Sequence, residues 1–171
     1  MDEETARMFD RIQRELEQLR GHETPLPRCA ALYTTNAGQS IPNGAFTIVD
    51  FEDLVHDTDA AVTTGASWKF TCPTGQGGQY RVSIMLLFTS TSTWAAAEYA
   101  QAFVYKGGVA YTCLAWTTAE SATTLYRELS GSADVYLSAA EYIDIRVFQG
   151  SGGAIALAND GLYNHVSISR I

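Results

Sequence analysis

Two periods divide this chain, and a fold has to satisfy both. Residues 1–20 (MDEETARMFDRIQRELEQLR) contain neither Gly nor Pro, half are charged, and the apolar Phe9, Ile12, Leu16 and Leu19 recur at three- and four-residue spacing. From residue 80 to the end, apolar residues alternate instead, broken by turn residues. The first pattern is one face of a helix and the second a half-buried strand. A short helix that wants partner helices therefore precedes a β-domain, an arrangement suited to a symmetric display protein more than to an enzyme.

With Phe9 and Leu16 at heptad position a, Thr5, Ile12 and Leu19 occupy d. Glu15 then stands at g and Arg20 at the following e, the separation at which charges pair across a parallel coiled coil. Two heptads do not hold helices together on their own in water. The expectation is a coiled-coil or anchor helix over 1–20, secured by association of the domain behind it; a helix docked on its own β-domain is the alternative. Gly21 ends the helix, and Pro25 and Pro27 make 21–28 an extended linker. The β-domain then occupies 29–171.

Composition narrows the partners. The chain has 171 residues, is 46% hydrophobic and carries a formal charge of −8. After Arg28 the basic residues come singly (Lys69, Arg81, Lys106, Arg127, Arg146, Arg170), so the dense basic stripe that a polyanion needs is missing. Nucleic acid and membrane insertion are not expected; no apolar run approaches a bilayer span. The acidic, amphipathic start lacks the features of a secretory signal, which points to a protein made in the cytoplasm or exported without a cleaved signal. Cys29, Cys72 and Cys113 form an odd, widely spaced set, read as buried small apolar residues rather than a disulfide or zinc framework.

Short β-type segments follow the linker: 29–34, 45–51, 54–56 and 68–72, the last closed by Pro73. The clearest strand is 79–89, with Tyr80, Val82, Ile84, Leu86 and Phe88 on one face. Met85 and Leu87 make its other face partly apolar, which suggests a central strand covered on both sides. Tyr99, Gln101, Phe103 and Tyr105 alternate next, and Lys106-Gly-Gly-Val109 reads as a two-glycine hairpin turn into 109–116. Segments 135–137, 142–148, 154–157 and 166–171 complete about eight to ten strands, an antiparallel sandwich or jelly roll.

In order, these segments resemble the globular head shared by complement subcomponent q and the tumour necrosis factor superfamily, in its bacterial and bacteriophage form. Trp68-Lys-Phe70 leading to Pro73, then Gly78-Gln-Tyr80-Arg-Val82, is similar to that family's aromatic, proline, Gly-x-Tyr stretch. Val135-Tyr-Leu137 through Ile143 looks like its late strand pair, although Ala140-Glu141 stands where a Gly-Asp turn is usual. Asn164 to Ile171 resembles its terminal strand. The resemblance covers about residues 29–171. It implies a trimer of ten-stranded jelly rolls with the terminal strand in the sheet near the three-fold axis. Tyr80, Phe103, Tyr142 and Phe148 are then candidates for the intersubunit core.

Chemistry is sparse. His22, His56 and His165 have no paired nucleophile in sequence, and neither Gly75-Gln-Gly-Gly78 nor Gly150-Ser-Gly-Gly153 carries a phosphate loop or nucleophile elbow. No enzyme activity and no cofactor are expected. Asp50, Asp53, Asp57 and Asp59, with Glu52, are calcium-type ligands, but their spacing is not that of an EF-hand and a solvated edge accounts for them. Trp94, Trp116 and Tyr163 lie near loops or strand ends, where a ring can stack on a sugar or contact a protein. The expected protein is thus a bacteriophage virion-surface homotrimer: a tail fibre or minor tail protein meeting a host-surface glycan or protein, and held by its helix to another virion protein. Capsid decoration (a head fibre) and a bacterial surface or spore-coat trimer are the alternatives.

Overall fold

The longest alternation in the sequence becomes the centre of a sheet. In the computed structural model, which describes Met8, Gln13 and residues 29–89, 93–122 and 126–171, Gly78–Phe88 is one of thirteen strands among the described residues. They are β1 (Ala30–Thr34), β2 (Ser40–Ile41), β3 (Thr47–Ile48), β4 (Asp53–Asp57), β5 (Val62–Thr63), β6 (Lys69–Thr71), β7 (Gly78–Phe88), β8 (Tyr99–Lys106), β9 (Val109–Thr118), β10 (Arg127–Leu137), β11 (Tyr142–Gln149), β12 (Ile155–Ala156) and β13 (His165–Arg170). All pairings are antiparallel. One sheet runs β10-β7-β13-β1-β4, a second runs β5-β6-β11-β8-β9 with β3 also paired to β11, and β12 pairs with β2 in a small third sheet. The product is a mainly β antiparallel sandwich of jelly-roll type. Phe9, Ile12, Leu16 and Leu19, the seam of the expected helix, lie outside the described residues.

Alternation turns one face of each strand into core. Tyr80, Val82, Ile84, Leu86 and Phe88 of β7 are buried, together with Leu129, Val135 and Leu137 of β10 and Val166 and Ile168 of β13. They meet Phe70, Val104, Ile143, Ile145 and Val147 from the opposite sheet. Each such side chain contributes on the order of 1.5–3 kcal/mol through the area it removes from water. The sheets pinch where β9 and β10 approach: a Cβ at Gly131 would run into the Leu114 carbonyl. Gly107 and Gly108, both at positive φ (59° and 79°), make the β8–β9 hairpin turn that the two glycines predict.

Four expectations change. The 45–51 segment is strand only at Thr47–Ile48, because residues 42–46 turn across the outside of the six-stranded sheet: the Gly44 N–H donates to the Gln149 carbonyl at 2.8 Å. The short segment 135–137 is the tail of an eleven-residue strand, β10. Among the described residues nothing fully covers the second face of β7, where Ser83, Met85 and Leu87 are half-buried. Cys29 and Cys72 are buried as expected, but Cys113 is exposed, since it faces outward opposite Phe103.

Candidate functional site

On β8 the small residues face in and the aromatic ones face out. Ala100, Ala102 and Val104 are buried in the sandwich, while Tyr99, Phe103 and Tyr105 stand on the outward face of the six-stranded sheet. Antiparallel register places Phe148 opposite Gln101 and Arg146 opposite Phe103 on β11, and Trp116 of β9 opposite Gln101 from the other side. Phe46, carried over this face by the β2–β3 turn, closes the group. Its ring lies 5.5 Å from Phe103, 5.7 Å from Tyr105 and 5.2 Å from Phe148. Tyr99 stacks on Phe148 at 5.5 Å and 19°, and on Trp116 at 5.5 Å and 27°.

One end of this aromatic row is tied down by charge. The Arg146 guanidinium sits 4.0 Å from the Tyr105 ring centroid and grips Asp144 with two bonds of 2.6 and 3.2 Å. That hydrogen-bonded carboxylate beside it holds Arg146 still further above the usual guanidinium range. Asp144 is buried although it points outward, so the row is a small second core under the Phe46 turn. The other end is open: Trp116 is 63% exposed, with its Nε1–H fixed to the Thr118 hydroxyl at 3.0 Å.

The structure distributes the remaining sequence candidates. Tyr80 is wholly buried in its own protomer, packed on Phe70 at 5.4 Å, with its hydroxyl donating to the Gln76 carbonyl at 2.7 Å. As a member of an intersubunit core it is therefore corrected: no part of the ring reaches the surface. Phe103 and Phe148 belong to the outward aromatic row, and Tyr142 lies half-buried under the Lys69 ammonium at 5.2 Å. All three are on the sheet that does not carry the terminal strand β13. Trp94 is corrected as a ligand-facing ring, being buried against Phe88 at 5.7 Å. Tyr163 is exposed and lines a cleft of about 550 Å³ with Tyr126, Leu87, Asn159 and Asp160.

The acidic run serves the backbone. Asp57 accepts from the N–H groups of Asp59, Ala61 and Val62 and from the Tyr33 hydroxyl, which staples the β4–β5 turn. Asp59 accepts from the Thr58 hydroxyl at 2.8 Å, Asp53 is exposed opposite Thr34, and neighbouring Asp50 and then Asp53 raise the carboxyl of Glu52 above its usual range. Among the described residues no three His, Cys, Asp or Glu side chains gather as metal ligands. His56 on β4 and His165 on β13 are separated by β1. Burial first, then a hydrogen bond to Asp59, pushes the Cys29 thiol up to about 12, which leaves it protonated and a poor nucleophile.

Sequence reasoning missed Phe46, Tyr99 and Gln101. The alternation in β8 marked Tyr99 and Gln101 as one face, but nothing in a period of two says which face is inside.

No protein-family model and no curated protein sequence matches the chain. Solved structures do match its fold. Murine APRIL at pH 8.0 superposes with a TM-score of 0.61 at 10% identity, over 84% of this chain and 99% of that one. The globular domain of zebrafish complement 1qA protein gives 0.57 at 16%, over 84% and 97%. Eiger TNF from S. frugiperda gives 0.58 at 10%, over 85% and 93%. The jelly roll of the tumour necrosis factor and complement 1q type is therefore the fold of this β-domain, which agrees with the resemblance read from the sequence at the level of fold.

Proposed function

We propose that this chain is a non-enzymatic display protein: a homotrimer of jelly-roll heads on the surface of a bacteriophage particle, made in the host cytoplasm. Residues 1–20 serve as its anchor to another virion protein, and a tail-fibre or minor-tail role in contacting the host surface fits best.

The observation that carries self-association is where apolar side chains stay uncovered. Val109 and Tyr111 of β9, Tyr136 of β10 and the adjoining Tyr126 are each half or more exposed, all along the β9–β10 edge of the sandwich. The outward face of the five-stranded sheet is a different kind of surface, with Leu32, Ser83, Met85 and Ser167 half-buried across its middle. An apolar edge meeting a smooth face on the next copy is a heterologous contact, which makes a ring where the rotation between copies closes. Three copies is the number that a head of this type implies. The display role then follows from what such a ring leaves outward, namely the six-stranded sheets with their aromatic rows.

Light scattering of the intact chain tests the assembly. The expected mass is three times the 18.6 kDa of one chain, and Tyr136→Asp, which sets a charge on the apolar edge, shifts it toward a single chain. A monomeric wild-type protein sinks the assembly. For the particle, purified virions separated into capsid and tail fractions should carry the chain in the tail fraction. Recovery with capsids moves it to a decoration role, and absence from both removes the virion reading.

A further inference from the structure

We propose that Trp116, Tyr99 and Gln101 form a binding site for one neutral sugar ring, with the open face of the Trp116 indole as its floor. The use of such a site in host contact rests on the display reading above; the chemistry of the site does not.

Three observations converge on it. First, the indole is held in place before any ligand arrives. One face lies on Tyr99, its Nε1–H is spent on Thr118, and Tyr99 is itself backed by Phe148. The remaining face is in water, and a largely exposed tryptophan in a β-strand leaves most of its apolar area unburied. Second, Gln101 stands between Trp116 and Phe148 in the register, and its carboxamide makes no hydrogen bond among the described residues. It offers two N–H donors and an acceptor beside the open ring. Third, the charged groups beside the site are engaged in part: Glu98 accepts from the Ala95 N–H at 2.6 Å and Arg146 holds Asp144, while Arg127 donates to the Thr118 carbonyl at 3.4 Å and its buried Nε makes no hydrogen bond among the described residues.

These features select the occupant. Beside the aromatic row the cation Arg146 is already neutralised by Asp144, which favours a neutral ligand there. An apolar floor with a free donor and acceptor at its side matches a pyranose, whose axial C–H groups form one apolar face while its hydroxyls lie around the rim. A protein partner is a poor match in size. A stable interface covers roughly 800 Å² on each side, whereas Phe103, Tyr99 and Phe148 are largely covered and the open apolar surface of the row comes down to the Trp116 indole and the part-exposed Phe46 ring. The site lies on the outward face of the six-stranded sheet, on the later half of β9, whose first residues belong to the edge assigned to self-association. Three copies in a ring would present three such sites in parallel, so weak single contacts would combine through effective concentration.

Saturation-transfer NMR on the intact chain tests this, using glucose, galactose, mannose and N-acetylglucosamine as probes, with the mass of every sample read by light scattering. At least one sugar should bind with a Kd on the order of 1–10 mM and receive saturation mainly through one C–H face. Trp116→Ala should weaken it by about tenfold or more, and Gln101→Leu, which keeps side-chain size, by about fivefold. Circular dichroism confirms that both variants remain folded. Binding of none of the four sugars at about 50 mM, or binding unchanged in Trp116→Ala, overturns the site. So does a fall in mass on Trp116→Ala, which would give the ring to a second copy instead. A trimer that binds no sugar refutes this site alone; sugar binding by a chain that is not trimeric upholds the site and refutes the assembly.

Discussion

The two outward faces of the sandwich are built on opposite principles. On the six-stranded sheet Phe46, Tyr99, Phe103, Tyr105 and Phe148 pack on one another, and Arg146 closes over Tyr105 while holding buried Asp144. That face finds its partners within the protomer. On the five-stranded sheet the row Leu32–Ser167–Ser83–Ser132 runs straight across four strands and nothing from the same chain covers it among the described residues. The ion pair there, Arg81 with Asp134 at 2.9 Å, is at the surface and adds little to stability. Face composition thus separates two jobs: large rings where the chain completes its own packing, small side chains where a flat surface can be offered to another copy.

The largest effect that tests this division concerns neither face but the pinch between the sheets. Gly131→Ala sets a methyl group against the Leu114 carbonyl, which belongs to backbone and cannot rotate away. Overpacking of this kind costs about 3 kcal/mol, read as a lower midpoint in urea unfolding. A neutral result would mean that β9 and β10 part easily, and the β9–β10 edge could not then serve as a firm interface.

Next come paired substitutions, one on each face. Phe46→Ala removes three ring contacts from the outward aromatic row and should cost about 2 kcal/mol, less than a fully buried Phe because the ring is 42% exposed. It should leave the mass of the assembly unchanged. Met85→Glu on the other face should do the reverse: it costs the single protomer about 1 kcal/mol, since Met85 is only half-buried, yet lowers the mass seen by light scattering. If Phe46→Ala dissociates the assembly and Met85→Glu does not, the two faces have been assigned the wrong way round.

The contrast between the faces also explains what the sequence could and could not tell. Strand positions were legible wherever large apolar residues alternate, as in β7. Most of β10 was not, because its inward positions at the pinch are Gly131 and Ala133 and its outward ones are Glu128, Ser130, Ser132 and Asp134, a composition indistinguishable from a loop. The rings of β8 were visible as one face, but their outward direction depends on the Phe46 turn, a contact more than fifty residues distant in the chain. Trp94 was read as a loop ring for the same reason; its burial depends on Phe88, which local pattern does not reveal. The Trp116 half of the candidate site was therefore legible, and its Tyr99 and Gln101 half was not.

The smallest predicted effect lies in the turn where the chain crosses from the five-stranded sheet to the six-stranded one. Ala140 adopts φ +67°, a left-handed conformation that costs an L-residue roughly 1–2 kcal/mol. This is the position where the sequence departs from the glycine usual in heads of this kind. The turn is nonetheless well held: Glu141 accepts from the Ser138 N–H at 2.7 Å and pairs with Lys106 at 2.9 Å, and the Ala140 N–H donates to the Cys72 carbonyl at 2.9 Å. Ala140→Gly relieves the strain, and the extra freedom of glycine in the unfolded chain returns about 0.4–1 kcal/mol of that gain. The net result should be a stabilisation of about 0.5 kcal/mol, seen as a higher urea midpoint at an unchanged slope. Because Ala140 belongs to neither outward face, the same variant should change neither the mass of the assembly nor sugar binding at Trp116. A gain in stability accompanied by a change in either would show that the crossing turn couples the two faces that the rest of the structure keeps apart.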